Sequence, residues 1–303
     1  MNTYCTVFYW TPSALSGLES VIVMCIIATI MHGFLWIQVL SFSSLRKQNL
    51  IWLYAYLFSN TLLLVRFYIL YGMRRGEVCL FSTLENIICY FEASSKGYIN
   101  TIQNYFLLAF SISRYLRIVF NRNTYKGKIH LIILLHFLIC TIVGLNIVVQ
   151  FRVGWTQIWR APGRSCDMLF ESAIIQILNL FIMYIIPVAL NIIVLALAII
   201  HVSSTQGIRS EQIIRIRQRR QRKLILQTIA FYSVWLILWS PDILAFQFTD
   251  GTSEMAIYIS LLCYIEIALD PLIIAIIDLR FLQVWRKIWN TIHRQERRVG
   301  TIS

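Results

Sequence analysis

Charge is scarce in this sequence. Asp, Glu, Lys and Arg make up 14% of its 303 residues, and only 14 of these are acids. A water-soluble domain of ordinary composition has about a quarter of its residues charged, so this chain cannot clothe a soluble surface of its size. Met1–Trp10 holds no Lys or Arg. The basic front of a cleavable signal peptide is therefore missing, and the first apolar stretch is expected to remain as a helix. No Asn-x-Ser/Thr triplet occurs, so the chain offers no N-glycosylation acceptor. Clusters at metal-ligand spacing, a phosphate-binding glycine loop and a nucleophile beside a base are also missing, and no catalytic chemistry is expected.

Apolar length is abundant: 58% of residues are hydrophobic and the mean hydropathy is +0.68. A membrane-spanning helix needs about 20 mainly apolar residues. Seven stretches satisfy this: Ser16–Leu40, Leu50–Leu70, Asn86–Phe120, Ile129–Val149, Ala173–His201, Leu224–Phe248 and Met255–Ile277. The expected fold is an all-α membrane domain over 16–277, between an extracellular amino tail (1–15) and an amphipathic helix with a cytoplasmic tail (278–303). The 124 residues that remain are divided among loops and tails, none of them long enough for a second domain.

The net charge of +13 raises nucleic acid as a partner, but the distribution of the basic residues assigns them otherwise. With the amino terminus outside, nineteen basic residues fall in inner segments. Only Arg74, Arg75, Arg152, Arg160 and Arg164 fall outside. This bias places the carboxyl tail in the cytoplasm. The run Arg215–Lys223 suits anionic inner-leaflet lipid, and it also continues the fifth and sixth helices into the cytosol, where an acidic protein can meet it. Division among membrane-bounded loops argues against nucleic acid.

Several motifs follow the spans in order. Ser113-Arg114-Tyr115-Leu116 closes the third, with Cys89 at its other end. Pro187 lies in the fifth, and Leu238-Trp239-Ser240-Pro241 in the sixth. Asp270-Pro271-Leu272-Ile273-Ile274 lies in the seventh, followed by Asp278-Leu279-Arg280-Phe281, and Cys166 sits in the second outer loop. This series resembles the rhodopsin-like G-protein-coupled receptors along essentially the whole chain. Each proline removes a helix hydrogen bond and kinks its helix, which supplies either a static bend or a hinge.

The resemblance implies a seven-helix receptor in the plasma membrane that binds an extracellular ligand and activates a heterotrimeric G protein. It implies a Cys89–Cys166 disulfide, and an activation switch at Trp235, Trp239, Pro241, Asp270 and Pro271. It also implies G-protein contacts at Arg114, Arg217, Arg220 and Lys223. Ser113 stands where the family has an acid that restrains the arginine, so appreciable basal signalling is expected. His32 and Asn60 replace the family's polar pair in helices one and two, which moves the acid to Asp270 and Glu266, four residues apart on one face. With Asn60 and Gln103 these carboxyls form a site for a sodium ion, or share a proton.

The expected ligand pocket comprises Glu92, Lys96, Asp242, Gln247 and Tyr264, with Arg66. Lys96 replaces the aspartate of amine receptors and Tyr264 replaces the retinal-binding lysine of opsins, so neither ligand class is expected. Lys96 either pairs with Glu92 one turn earlier or meets an acidic group of the ligand. A short peptide is the expected ligand, and a chemosensory or small acidic-metabolite ligand is the alternative. Cys5 and Cys79 form a second outer bridge or stay as thiols, while Cys25, Cys140 and Cys263 lie within helices. A transporter is the rival class, but no inverted repeat is visible.

Overall fold

Thr11 opens the first helix with its side-chain oxygen accepting from Ala14 N, and Pro12 follows at a position where its missing N–H has no partner to lose. The computed structural model describes residues 5–43, 45–46, 50–120, 129–204, 211–248, 254–277, 281 and 283. Its helices are α1 (Pro12–Ser41), α2 (Ile51–Arg75), α3 (Ser82–Phe120), α4 (Ile129–Val153), α5 (Ala173–Leu180), α6 (Ile186–Ser204), α7 (Glu211–Phe248) and α8 (Glu254–Ile277). A π-helical turn, Phe181–Ile185, joins α5 to α6. The fold is all-α, and the apolar stretches expected from the sequence fall on these helical segments, the second beginning at the N-cap Leu50 of α2 and the fifth running through α5, the π turn and α6.

Among the described residues five helical segments are long and apolar enough to cross a membrane: α1, α2, α4, the continuous α5–α6 segment and α8. α3 is less apolar for a visible reason. Its Asn100, Thr101, Gln103 and Asn104 are all buried, so its polar groups face other helices. α3 packs on α2, α4 and α6, α7 on α6 and α8, and α1 on α2 and α8. The pattern is inverted relative to a soluble protein: Phe137 on α4 is 70% exposed, while Asp270 is 1% exposed.

Two prolines explain two long-range hydrogen bonds. A proline at position i leaves the carbonyl of i−4 without its helical donor. Pro187 frees the Met183 carbonyl, which accepts from Asn104 Nδ2 at 2.7 Å, and Tyr105 donates to the neighbouring Ile182 carbonyl at 3.0 Å. Pro271 frees the Ile267 carbonyl, and Nε2 of His32 lies 3.0 Å from it. His32 therefore carries its proton on Nε2 and fastens α1 to α8. Neighbouring helices resupply the lost donors, as membrane depth demands.

Two short antiparallel ladders, which no sequence signal announced, cover one end. β1 (Cys5–Phe8) pairs with β2 (Val78–Phe81), and β3 (Thr156–Trp159) with β4 (Asp167–Phe170). Cys5 is bridged to Cys79 and Cys89 to Cys166, with Cα atoms 5.5 and 5.3 Å apart. Thr11 N donates to Gly163 O where the amino-terminal segment crosses the 154–166 connection. Gly163 has φ +70°, and a Cβ there would lie 2.8 Å from Thr11 Cγ2, so only glycine fits this crossing. The amphipathic helix expected over 278–303 falls outside the described residues apart from Phe281, which is fully buried, and Gln283.

Candidate functional site

Beneath the ladders lies a cavity of about 140 Å³. Its walls come from α1, α2, α3, α7 and α8, and Trp10 and residues 165–168 lie across it. The Cys89–Cys166 bridge ties this cover to α3. Trp10 adds a second tie, donating through Nε1 to Ser165 Oγ at 3.2 Å. Glu92, Lys96, Asp242 and Tyr264 line the cavity, as expected, together with Arg66. The side chain of Gln247 lies outside the described residues, as do those of Arg217, Arg220 and Lys223.

The charge pairing differs from the local spacing on α3. Lys96 does not pair with Glu92. Its Nζ donates to Asp242 Oδ1 at 2.8 Å and to Ser260 Oγ at 3.1 Å. Glu92 instead receives Arg74, which donates from Nε to Oε1 at 3.0 Å and from Nη2 to Oε2. Cys166 N donates to Oε2 as well, at 3.0 Å. Arg74 is not a loop charge but a buried residue of α2, 3% exposed, stacked 3.6 Å over the Phe8 ring. The tertiary partner prevails because a bidentate guanidinium–carboxylate pair sheltered from water outweighs a single-point ammonium–carboxylate contact one helical turn away.

Deeper in the fold, Glu266 and Asp270 do share a face, and Tyr56 on α2 joins them. Its hydroxyl lies 2.6 Å from Glu266 Oε1 and 2.6 Å from Asp270 Oδ2. Asn60 Nδ2 donates to the same Asp270 oxygen at 2.6 Å, and Gln103 donates to Asn60 Oδ1. A phenol carries one proton and can donate it to only one carboxyl oxygen. The second short contact requires a proton from a carboxyl group. Tyr56 thus ties the two acids together from α2. Nothing in the sequence pattern distinguished this tyrosine from an apolar-face aromatic.

Trp235 and Trp239, one turn apart on α7, stack with ring centroids 4.4 Å apart, and Tyr232 stacks on Trp235 at 5.3 Å. Both indoles are 1% exposed. Pro241 lies within α7, and Ser240 beside it accepts from the Tyr184 hydroxyl at 2.6 Å. Eighteen residues along α3 from Lys96, roughly 27 Å away at helical rise, stands Arg114. Its Nη1 donates to Thr228 Oγ1 of α7 at 2.6 Å, and its guanidinium lies 4.3 Å from the Phe110 ring centre. Ile118, Ala198, Val202 and Ile225 pack into a buried cluster that closes this end across α3, α6 and α7.

Among the described residues no group of three or more His, Cys, Asp and Glu is arranged to hold a metal ion. Neither a protein-family model nor a curated protein matches the chain.

Proposed function

We propose that the chain is a rhodopsin-like G-protein-coupled receptor, a seven-helix bundle of the plasma membrane with its amino terminus outside and no catalytic activity of its own. One observation carries this reading. α7 holds a polar latch at each of two separated levels, Asp242 on Lys96 in the cavity and Thr228 on Arg114 fourteen residues earlier, with Pro241 inside the helix between them. A ligand that pulls on Asp242 bends α7 at Pro241, turns the Trp235–Trp239 stack, and frees Arg114. The parting of Ile118 from Ile225 opens a cleft for the G protein, and the basic run at Arg217, Arg220 and Lys223 receives its acidic surface or anionic lipid. The core of Tyr56, Asn60, Gln103, Glu266 and Asp270 works with a shared proton and needs no sodium ion, in keeping with the Tyr56 geometry. An extracellular short peptide or a small acid is the ligand.

The test is guanine-nucleotide exchange on purified heterotrimers of each class with the full chain in lipid vesicles. Thr228→Ala removes a neutral latch and raises ligand-free exchange severalfold over the wild type. Exchange no faster than with empty vesicles, for both chains and all classes, refutes the reading.

A further inference from the structure

Two groups lining the cavity are left without the partner their chemistry asks for, and together they describe a ligand. Arg74 takes Glu92, and Lys96 takes Asp242. Arg66 remains. Its Nε donates to Ser95 Oγ and its Nη2 to the Glu92 carbonyl, both neutral acceptors, and among the described residues no carboxylate pairs with it. A guanidinium has five N–H donors, so three remain for whatever fills the cavity. A cation at this depth without a counter-charge favours an incoming anion, and its planar fork suits a carboxylate. The second group is Asp242 Oδ2, which accepts no hydrogen bond although the residue is 2% exposed and lines the same cavity. A buried acceptor in that state asks for a donor.

We propose that the cavity binds a ligand bearing a carboxylate, held in two-point fashion by Arg66, and that a hydroxyl or amine of the same ligand donates to Asp242 Oδ2. This rests on the cavity being the receptor's ligand site. Lys96 does not bind the anion: its charge is already met by Asp242, and it fixes Oδ1 so that Oδ2 stays available. A free small acid and the carboxyl end of a short peptide share this chemistry, and a cavity of about 140 Å³ admits the terminal group of either.

The experiment uses the full chain in detergent and measures ligand-induced shifts in unfolding temperature. One probe set contains lactate, malate and glutamate beside their amides, with propionate as the acid lacking a donor. The other contains pooled tripeptides in free-acid and amide form. Acids bind roughly 10- to 100-fold more tightly than matched amides, the range expected when a charge-assisted hydrogen bond is lost. Arg66→Gln loses the same factor, and Arg66→Lys, which keeps the charge, recovers part of it. A preference confined to one set identifies the source of the carboxylate. Amides binding as well as acids, unchanged binding by Arg66→Gln, or no shift from either set overturns the proposal, and propionate matching lactate removes Asp242 from it. Arg66-dependent binding of acids without any effect on G-protein nucleotide exchange would leave this site standing and sink the receptor reading. Ligand-driven exchange indifferent to Arg66 would do the reverse.

Discussion

Replacing Glu92 by Gln leaves the Arg74 guanidinium in a site that is 3% exposed with no counter-charge. Gln keeps the volume and one acceptor oxygen, but it faces three donor nitrogens, Arg74 Nε, Arg74 Nη2 and Cys166 N, with an amide that also donates. Breaking one side of a buried ion pair costs about 3–5 kcal/mol. At roughly 2–4 °C per kcal/mol for a chain of this size, unfolding shifts down by about 10 °C. Cys25 and Cys263 supply the assay: both are free thiols, buried at 0% and 2% exposure, and react with a maleimide dye only when the helices part. The full chain in detergent is heated with dye, and the midpoint of labelling is compared with wild type. The double variant Arg74→Met with Glu92→Leu removes both charges and unfolds closer to wild type than Glu92→Gln does. A midpoint within about 2 °C of wild type for Glu92→Gln, or a double variant that unfolds below Glu92→Gln, refutes the argument: the first means that water reaches the pair, the second that the loss does not come from an unpaired charge.

The other expectations use the same dye assay. Asn104→Leu and His32→Leu each leave a proline-freed carbonyl without a donor and lower stability by about 1–3 kcal/mol, whereas His32→Gln retains a donor and loses less. Equal losses for Leu and Gln would show that His32 acts by packing alone. Tyr56→Phe removes the hydroxyl joining Glu266 and Asp270 and destabilises by a similar amount, about 1–3 kcal/mol. Exchanging sodium for choline leaves the wild-type midpoint unchanged if that cluster is held by protons; a sodium-specific rise that Asp270→Asn abolishes would put an ion there instead.

The helical segments were legible because a run of some twenty apolar residues has few other uses. The prolines were legible too, since the lost hydrogen bond follows from the residue type. Which group repairs that loss was not. Asn104 and His32 lie 79 and 235 residues from the carbonyls they serve, and only the packing of α3 on the fifth helical segment and of α1 on α8 brings them there. Spacing along α3 offered Glu92 to Lys96, while the actual partner, Asp242, stands 146 residues away. Arg74 follows the end of an apolar stretch, which by sequence places it outside the membrane, although α2 continues to Arg75 and buries it. The four-residue strands were too short to leave a pattern. Tyr56 reads as one more aromatic on an apolar helix until Glu266 and Asp270 are set beside it.

The π turn at Phe181–Ile185 has a further consequence for the fifth helical segment. Such a turn holds one residue more than an α-helix does over the same rise, so α5 is rotated relative to α6 by about 100° from the bearing a uniform helix would give it. On that bearing Asn179 meets Gln150, whose Nε2 donates to its side-chain oxygen, and Gln150 in turn accepts from Thr156 at the start of β3. The surplus residue therefore sets the azimuth at which the fifth segment faces its neighbours. Deleting any single residue from 181–185 would let the backbone relax into α geometry while swinging Asn179 away from Gln150, which would break the side-chain chain that runs from α5 through α4 to Thr156 of β3.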